Sequence, residues 1–133
     1  MLFRSTPLKL YEQAMPASLR TTMAERMAEL GIQSPFAPPA EATPEQLAEY
    51  EAFMARLLVP DESITTRVEI GSVIERKWHA LRRHATQIGP ENTFMAFGLE
   101  GWREAWTTES YILRESRVPA MTPETDLFTG IPA

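Results

Sequence analysis

Apolar residues recur every three or four positions between residues 17 and 30, which is the spacing of one face of an α-helix. Leu19, Met23 and Met27 belong to this series. Gly31 follows at the position where helices often end with a residue in the left-handed conformation. The pattern therefore predicts a helix over Ala17–Leu30.

A second helix is predicted from the signals at its two ends. Thr43 is a typical N-cap residue, Pro44 suits the first helical position, and Gln46 completes a capping box. Pro60 would end the helix, because proline lacks the backbone donor that the helix needs. Between the two helices, residues 34–39 include three prolines and are predicted to form a loop.

Two more helices are predicted in the second half of the chain. Ser72 and Glu75 match a further capping box, and apolar residues continue at helical spacing as far as Ile88. We expect this helix to stop before Pro90, since proline disfavours helical backbone in the residue preceding it. A shorter helix is predicted over Leu99–Trp106.

Short β-strands are predicted at Leu8–Glu12 and Ile64–Ile70, where apolar and polar residues alternate, and at Ser110–Leu113. Two or three short strands make a marginal sheet, so we expect each to lie at the edge of a larger sheet that this chain lacks. The predicted fold class is α/β, helix-rich and incomplete, with three or four helices. It forms a single region over residues 1–133 with an extended tail over 117–133.

The composition is that of an ordinary globular domain, with 133 residues of which 44% are apolar and 23% charged. Cysteine is absent, which excludes disulfides and thiolate metal ligands. No run approaches the roughly 18–20 apolar residues that cross a bilayer. Residues 1–4 are not followed by a long apolar stretch, so we expect no signal peptide and a cytoplasmic location.

The charge distribution argues against a nucleic-acid partner. The net charge is −5, and the basic residues form no continuous stripe that could neutralise phosphates. Arg76, Lys77, Arg82 and Arg83 are close in sequence, but this much charge is usual on the solvated face of a helix. We therefore interpret them as surface residues.

The chain has two histidines, His79 and His84. His79 lies opposite the apolar stripe of the predicted third helix and is expected to be exposed. His84 lies on the flank of that stripe, where it is either a hydrogen-bonded structural residue or part of a site. The two side chains point in different directions on a straight helix and cannot share a metal, whereas a hydrolytic zinc site takes about three protein ligands.

Other signatures of a reaction centre are missing from the sequence. It has no glycine-rich phosphate loop, no Gly-x-Ser-x-Gly elbow and no cysteine nucleophile. The neighbouring carboxylates Glu49 and Glu51, and likewise Glu124 and Asp126, are predicted to be solvated.

The three tryptophans are predicted to be core residues. Trp102 and Trp106 are one helical turn apart, so the two indoles could instead cover an apolar ligand together. Core packing is the interpretation we prefer for this pair and for Trp78.

The segment Ala80–Ile88 resembles the Ala-Leu-x-x-His-x-Ser/Thr-Gln element of the N-acetylglucosaminyl-phosphatidylinositol de-N-acetylase superfamily, the LmbE-like or PIG-L deacetylases. Other segments resemble the mycothiol S-conjugate amidase branch, in the order in which that branch carries them. They are Lys9–Tyr11, Gly31–Ala37, Thr65–Glu69, Trp106–Tyr111, Ser116–Val118 and Asp126–Ile131. Together the matches extend over nearly the whole chain.

The resemblance implies the C-terminal part of a Rossmann-like zinc hydrolase that cleaves an amide on a glucosamine-containing substrate. In that family the metal and its catalytic base are held by an earlier His-Pro-Asp-Asp motif and a His-x-x-His element, and this sequence contains neither. No catalytic residue and no zinc ligand is therefore carried over to this chain. His84 and Gln87 match the family element and are the candidates for residues near the substrate.

We accordingly expect a C-terminal fragment of a mycothiol S-conjugate amidase or an N-acetylglucosamine-type deacetylase, from a truncated or split gene. Whether the chain is an enzyme stays open, since zinc is implied for the full-length family and not for this chain alone. The expected partner is the N-terminal half, or a second copy bound through exposed strand edges, and no nucleic acid or membrane. The alternative is a non-catalytic interaction module that pairs with a partner chain.

Overall fold

A computed structural model of the protein describes residues 6–89 and 91–132. The strands in these ranges are β1 (Lys9–Pro16), β2 (Leu58–Val59), β3 (Thr66–Glu69) and β4 (Thr108–Ser116). The helices are α1 (Ala17–Glu29), α2 (Pro44–Leu57), α3 (Ile74–Arg82), α4 (Thr93–Ala96) and α5 (Gly98–Ala105). Two short 3-10 turns, Asp61–Ser63 and Gly71–Val73, lie before and after β3.

The four strands form one mixed sheet in the order β2-β1-β4-β3. β4 runs antiparallel to both of its neighbours, and β2 runs parallel to β1. The prediction of an α/β fold is confirmed. The expectation that the strands would remain isolated is wrong, because the strand predicted at 110–113 is nine residues long and pairs on both sides.

The first helix begins and ends close to the predicted residues. Gly31 has a φ of +68°, the left-handed conformation that the C-cap requires. The backbone N–H of Ile32 donates to the carbonyl of Met27 at 2.8 Å, and Ile32 packs against the core. Residues 34–39 form a loop, as their prolines predict.

The capping box of α2 is also confirmed. The Thr43 hydroxyl accepts a hydrogen bond from the backbone N–H of Gln46 at 3.2 Å, and the Gln46 side chain accepts one from the Thr43 N–H at 2.9 Å. Pro44 occupies the first turn. These three residues determine where the helix begins.

The predicted capping box at the start of α3 is wrong. Ser72 makes no capping bond, because Ile70 donates its N–H to Thr107 at 2.7 Å and the chain then forms a 3-10 turn. The helix also ends at Arg82 rather than Ile88. Residues 82–87 are exposed, so no buried face stabilises further helical turns there. The predicted stop at Pro90 lies outside the described residues.

The last predicted helix corresponds to α5, which is displaced by one residue at each end. The short helix α4 was not predicted; the Asn92 side chain caps it by accepting a hydrogen bond from the N–H of Phe94 at 3.0 Å. None of the helices in the described part of the chain is long and apolar enough to cross a membrane. The prediction of no signal peptide concerns residues 1–4, which lie outside that part.

The core contains side chains of α1, α3 and α5. Met23, Met27 and Trp102 are almost fully buried, and the Trp78 ring meets that of Trp102 edge-on with 5.4 Å between centroids. Trp102 also stacks on Trp106 at 4.9 Å. Core packing is thus confirmed for Trp78 and Trp102, whereas Trp106 is only half-buried.

After β4 the chain turns back along the sheet. Glu124 forms a single parallel bridge with Thr66 at the outer edge of β3, and Thr129 lies close enough for its carbonyl to accept a hydrogen bond from Lys9 at 2.9 Å. Within its described part, the tail predicted over 117–133 therefore contacts the strands at Glu124 and Thr129.

Candidate functional site

A groove of about 510 Å³ opens where the end of β1 meets the start of β4. Concave sites with a few converging polar groups are where small molecules usually bind, so this groove is the candidate site. Its lining mixes polar and apolar side chains and includes Gln13, Met15, Ser18, Leu19, Thr22, Leu57, Asp61, Arg67, Trp106, Glu109 and Ser110.

Asp61 closes one end of the groove by capping α1. That helix starts directly after Pro16, which offers no side-chain cap. Asp61 instead accepts hydrogen bonds from the backbone N–H and the hydroxyl of Ser18, at 2.9 and 2.5 Å. These bonds lower the pKa of the Asp61 carboxyl. Arg67 adds a positive charge to the wall, and its guanidinium donates to the Asp61 backbone carbonyl at 3.1 Å.

Glu109 is held on another wall of the groove by Lys77 and Tyr111. The Lys77 ammonium lies 2.6 Å from one carboxylate oxygen, and the Tyr111 hydroxyl donates to the other at 2.7 Å. The same ammonium sits over the Trp106 ring, 4.7 Å from its centroid. The prediction that Lys77 belongs to a solvated helix face is therefore wrong, because it packs between the helix and β4.

These contacts determine the protonation states in this cluster. Hydrogen bonds from Lys77 and then Tyr111 lower the pKa of Glu109, and the hydrogen bond that the Tyr111 hydroxyl donates to Glu109 raises the pKa of Tyr111 to about 12. A general acid or base works best with a pKa near the operating pH. Hydrogen bonds lower the pKa of both groove carboxyls, Asp61 and Glu109, away from that range.

A second cluster lies outside the groove and is buried. Lys9 and Glu124 form an ion pair at 2.6 Å, with 2% and 0% of their side chains exposed. The Tyr11 and Thr66 hydroxyls donate to the other Glu124 oxygen at 2.6 and 3.1 Å. The prediction of a solvated Glu124 is wrong, because its carboxylate joins the tail to two strands.

The solvation predicted for the other carboxylates agrees with the structure. Asp126, Glu49 and Glu51 are exposed. Glu51 makes one loose ion pair with Arg20 at 3.5 Å. Such surface pairs contribute little, so these carboxylates have no evident role in a site.

The buried pair stays ionised around neutral pH. Burial by itself would raise the pKa of Glu124, but the bonds from Lys9, Tyr11 and Thr66 outweigh it and the pKa is lowered. Burial would likewise lower the pKa of Lys9, and its contacts with Glu124 and Tyr11 raise it instead. With its donors already engaged and no opening to the groove, the pair is a structural link.

The structure places His84 and Gln87 in one exposed turn beyond the end of α3, where the Gln87 N–H donates to the His84 carbonyl at 2.9 Å. The placement of His84 on a helix flank is wrong because the helix has ended. Neither residue lines the groove; their proximity to a substrate stays a prediction. A smaller pocket of about 380 Å³ beside this turn is lined by Trp78, Arg82, Ala85, Ile88, Gly89 and Met95.

His79 is exposed, as predicted, and its imidazole lies 3.7 Å from Glu75. Across residues 6–89 and 91–132, no three His, Cys, Asp or Glu side chains converge on a point where they could hold a metal ion. The groove carboxylates Asp61 and Glu109 are already bound to other side chains. The described residues therefore do not fit the zinc that the family resemblance implies, and we derive no reaction step through a metal.

Comparison with curated proteins identifies relatives over most of the chain. Mycothiol S-conjugate amidase of Streptomyces coelicolor is 32% identical over 126 residues, which are 94% of this chain and 39% of the amidase. A 1D-myo-inositol 2-acetamido-2-deoxy-alpha-D-glucopyranoside deacetylase of Geodermatophilus obscurus is 34% identical over 125 residues, 93% of this chain and 39% of that enzyme. The chain is homologous to the LmbE-like amidases and deacetylases. The predicted resemblance is thus confirmed.

The match to the LmbE-like proteins covers only part of them. A deacetylase of the same name from Acidothermus cellulolyticus is 42% identical over 74 residues, 54% of this chain and 25% of that protein. The chain spans about two fifths of the length of the two longer matches. This fits the expected C-terminal part of such a protein, and the mixed sheet is consistent with part of a Rossmann-like fold. No family model and no solved structure matches the chain.

Several of the LmbE-like segments lie in the sheet and the tail. Lys9–Tyr11 lies in β1, Thr65–Glu69 in and just before β3, and Trp106–Tyr111 leads into β4. The segment Asp126–Ile131 follows the buried Glu124, and the carbonyl of Thr129 accepts a hydrogen bond from Lys9. These segments therefore build the sheet and one wall of the groove, whereas Gly31–Ala37 and Ala80–Ile88 lie outside both.

Sequence reasoning missed the groove residues Asp61 and Glu109, the Lys77 that pairs with Glu109, and the buried Glu124. Each is a charged residue in a polar stretch and looks like surface. The signal that could have found two of them was their position in or near segments that resemble the family. Glu109 lies inside Trp106–Tyr111, and Glu124 lies shortly before Asp126–Ile131.

Proposed function

We propose that this chain forms the C-terminal region of a zinc-dependent amide hydrolase acting on a glucosamine-containing substrate. We further propose that it is inactive until a region carrying the metal ligands is supplied. The names of its relatives support the reaction class, since they are an amidase and deacetylases of acetylated amino sugars. One observation supports assigning substrate binding to this chain and metal binding to another region. The described residues form a groove, but no three of their His, Cys, Asp or Glu side chains converge to hold a metal.

In this proposal the groove residues bind and orient the substrate. The half-buried Trp106 offers an apolar indole surface, and hydroxyls and carboxylates around it offer hydrogen-bond acceptors for a polyhydroxylated molecule. A carboxylate has about four lone-pair sites, so Asp61 and Glu109 can each accept a substrate hydroxyl in addition to the bonds they already accept from Ser18, and from Lys77 and Tyr111. Zinc, where the complementary region holds it, would polarise the amide carbonyl and activate the attacking water.

Reconstitution tests this proposal. The 133-residue chain is mixed with the part of the Streptomyces coelicolor amidase outside the matched region, and hydrolysis of an N-acetylglucosaminyl inositol and of a thiol-conjugate amide is measured. We expect turnover only from the mixture, with loss on chelation and recovery on adding zinc. Turnover by the 133-residue chain alone would refute the proposed division, and a mixture that neither associates nor turns over substrate would refute the proposed function.

Two variants make the assay specific to the groove. Trp106→Ala removes the indole wall and should raise KM more than it lowers kcat, because binding and not bond cleavage is affected. His79→Ala is the matched control on an exposed helix position remote from the lining. Equal losses in both variants would mean that the groove does not hold the substrate.

The alternative, a non-catalytic interaction module, is supported by the sheet edge at β1. Among the described residues, most of this strand has a partner on one side only. A zinc-free monomer that unfolds cooperatively and never acquires turnover with the complementary region would favour this second function. The cytoplasmic location remains a prediction that a fractionation experiment would test.

A further inference from the structure

We propose that the outer edge of β1, on the side opposite β4, is the binding site for one parallel β-strand of the complementary LmbE-like region. This inference rests on the proposed function, because that region is the partner in question. It adds the surface, the strand direction and the consequence for the groove.

The two edges of the sheet are treated differently. At β3 the tail covers the edge, since the Arg67 N–H donates to the Glu124 carbonyl at 3.0 Å and the Glu124 N–H donates to the Thr65 carbonyl at 2.8 Å. At β1, the outer side is paired only at Met15 and Pro16, with β2. Within the described ranges, the remainder of β1 lacks a strand on that side.

The register shows which backbone groups of β4 face β1. Residues of an antiparallel strand turn their N–H and C=O alternately to one neighbour and the other. The Thr107 carbonyl accepts a bond from Ile70, which continues the β3 side of the ladder. Every second residue after Thr107 therefore turns its backbone N–H and C=O towards β3. The backbone groups of Ser110 and Ile112 are turned towards β1.

The same alternation then identifies the outward groups of β1. Ala14 pairs with Ser110 and Glu12 with Ile112, so Glu12 and Ala14 bond to β4. The residues between and before them, Gln13 and Tyr11, turn their N–H and C=O to the open side. A partner strand would form its hydrogen bonds with these two residues.

The direction of the partner follows from β2, which already occupies the end of this edge. Leu58 lies opposite Met15 in parallel pairing. A strand in line with β2 runs the same way and has its carboxyl end beside Ala14, where β1 enters the groove. Ligands in α/β sheets bind at the carboxyl ends of parallel strands. Docking there would bring the residues after the partner strand to the groove.

Apolar side chains exposed on a face of the sheet near the start of β1 also call for a cover. Leu8 and Leu10 are 40% and 53% exposed. Natural sheets protect long edges with charges, prolines, bulges or a covering segment. The relatives supply a suitable cover, because about three fifths of their length lies outside the match.

Amide hydrogen exchange tests the assignment residue by residue. The amides of Tyr11 and Gln13 should exchange readily in the chain alone. They should slow by about 100-fold when the complementary region of the Streptomyces coelicolor amidase is added at 100 times its Kd. The amides of Glu12 and Ala14 serve as internal controls, because they bond to β4 and should be protected in both samples.

Variants at the same edge complete the test, with association as the readout because Gln13 also lines the groove. Gln13→Pro removes only the outward N–H, and proline is tolerated on edge strands. It should weaken association by about tenfold, the loss expected for one hydrogen bond. Gln13→Ala keeps the N–H and should bind normally. If Gln13→Pro does not fold, Leu10→Lys places a charge on the same edge and is measured in the same way.

The outcomes separate this inference from the proposed function. Protection of the Tyr11 and Gln13 amides without turnover supports strand docking at the β1 edge and counts against the proposed hydrolase function. Turnover without that protection refutes strand docking at the β1 edge and leaves the proposed hydrolase function standing. Protection that appears on concentrating the chain by itself overturns the assignment, since the occupant would then be a second copy.

Discussion

Replacing Glu124 with glutamine would leave the Lys9 ammonium buried without its counter-charge. The side chains of both residues are at most 2% exposed, and glutamine keeps the size and one acceptor oxygen of the original side chain. Tyr11 and Thr66 could still donate to that oxygen. The perturbation therefore removes one negative charge and little packing.

The expected loss follows from the burial of the remaining charge. Breaking a buried ion pair by removing one partner costs about 3–5 kcal/mol, because the other ion stays desolvated and unpaired. A domain of this size has about 5–15 kcal/mol of stability in total. Glu124→Gln should therefore remove a large part of the free energy of unfolding.

Urea denaturation followed by tryptophan fluorescence measures this loss. With a slope of about 2 kcal/mol per molar, a loss of about 4 kcal/mol moves the midpoint by about 2 M. Asp126→Asn is the matched control, since it makes the same chemical change on an exposed neighbour and should stay within about 0.5 kcal/mol. The double variant Lys9→Met with Glu124→Gln should recover much of the loss, because no unpaired charge remains.

Two results would refute this reasoning. A loss below about 1 kcal/mol in Glu124→Gln, at an unchanged slope, would mean that the ammonium is not confined to the interior. A double variant whose loss equals the sum of the single losses would mean that the two charges do not interact.

Three further predictions concern other parts of the chain. The pKa of Glu124 is lowered, so its contribution to stability is present above the unfolded carboxyl pKa of 4.5 and is lost as the pH falls through the folded value; the acid limb of the stability curve should flatten in Glu124→Gln. Thr43→Ala removes the hydroxyl that caps the Gln46 N–H and should lower the stability measured by thermal unfolding by about 1 kcal/mol. An unchanged stability would count against the capping box. Glu109→Gln should lower the free energy of unfolding by about 1–2 kcal/mol. In the same variant the Tyr111 pKa should fall from about 12 towards its usual 10 in a tyrosinate absorbance titration, and an unchanged pKa would mean that Glu109 is not its partner.

Local signals predicted the start of α2 and the end of α1 well. The capping box at Thr43 lies within four residues, and the glycine at the end of α1 acts within one turn, so both could be recognised without tertiary structure. The similar pattern at Ser72 failed because a non-local bond from Ile70 to Thr107 fixes the entry to α3 as a 3-10 turn. Identical local chemistry thus gave different outcomes under different tertiary contacts.

The clusters of charged side chains could not be predicted in the same way. Lys9 and Glu124 are 115 positions apart, and Lys77 and Glu109 are 32 apart. Each is a charged residue, which by itself favours a solvated position. The strand pairing decides their burial, and pairing between distant segments leaves no local pattern to read.

The location of the family-like segments limits what the resemblance implies about activity. Several of them converge on the buried pair and on the strands it connects, where a single change is expected to cost several kcal/mol. Selection for a folded sheet would preserve such residues whether or not the chain takes part in hydrolysis. Hydrogen bonds lower the pKa of both groove carboxyls, away from the neutral range that suits a general acid or base. Turnover in the reconstituted mixture, and not similarity in sequence, is therefore the measurement that assigns a reaction to this chain.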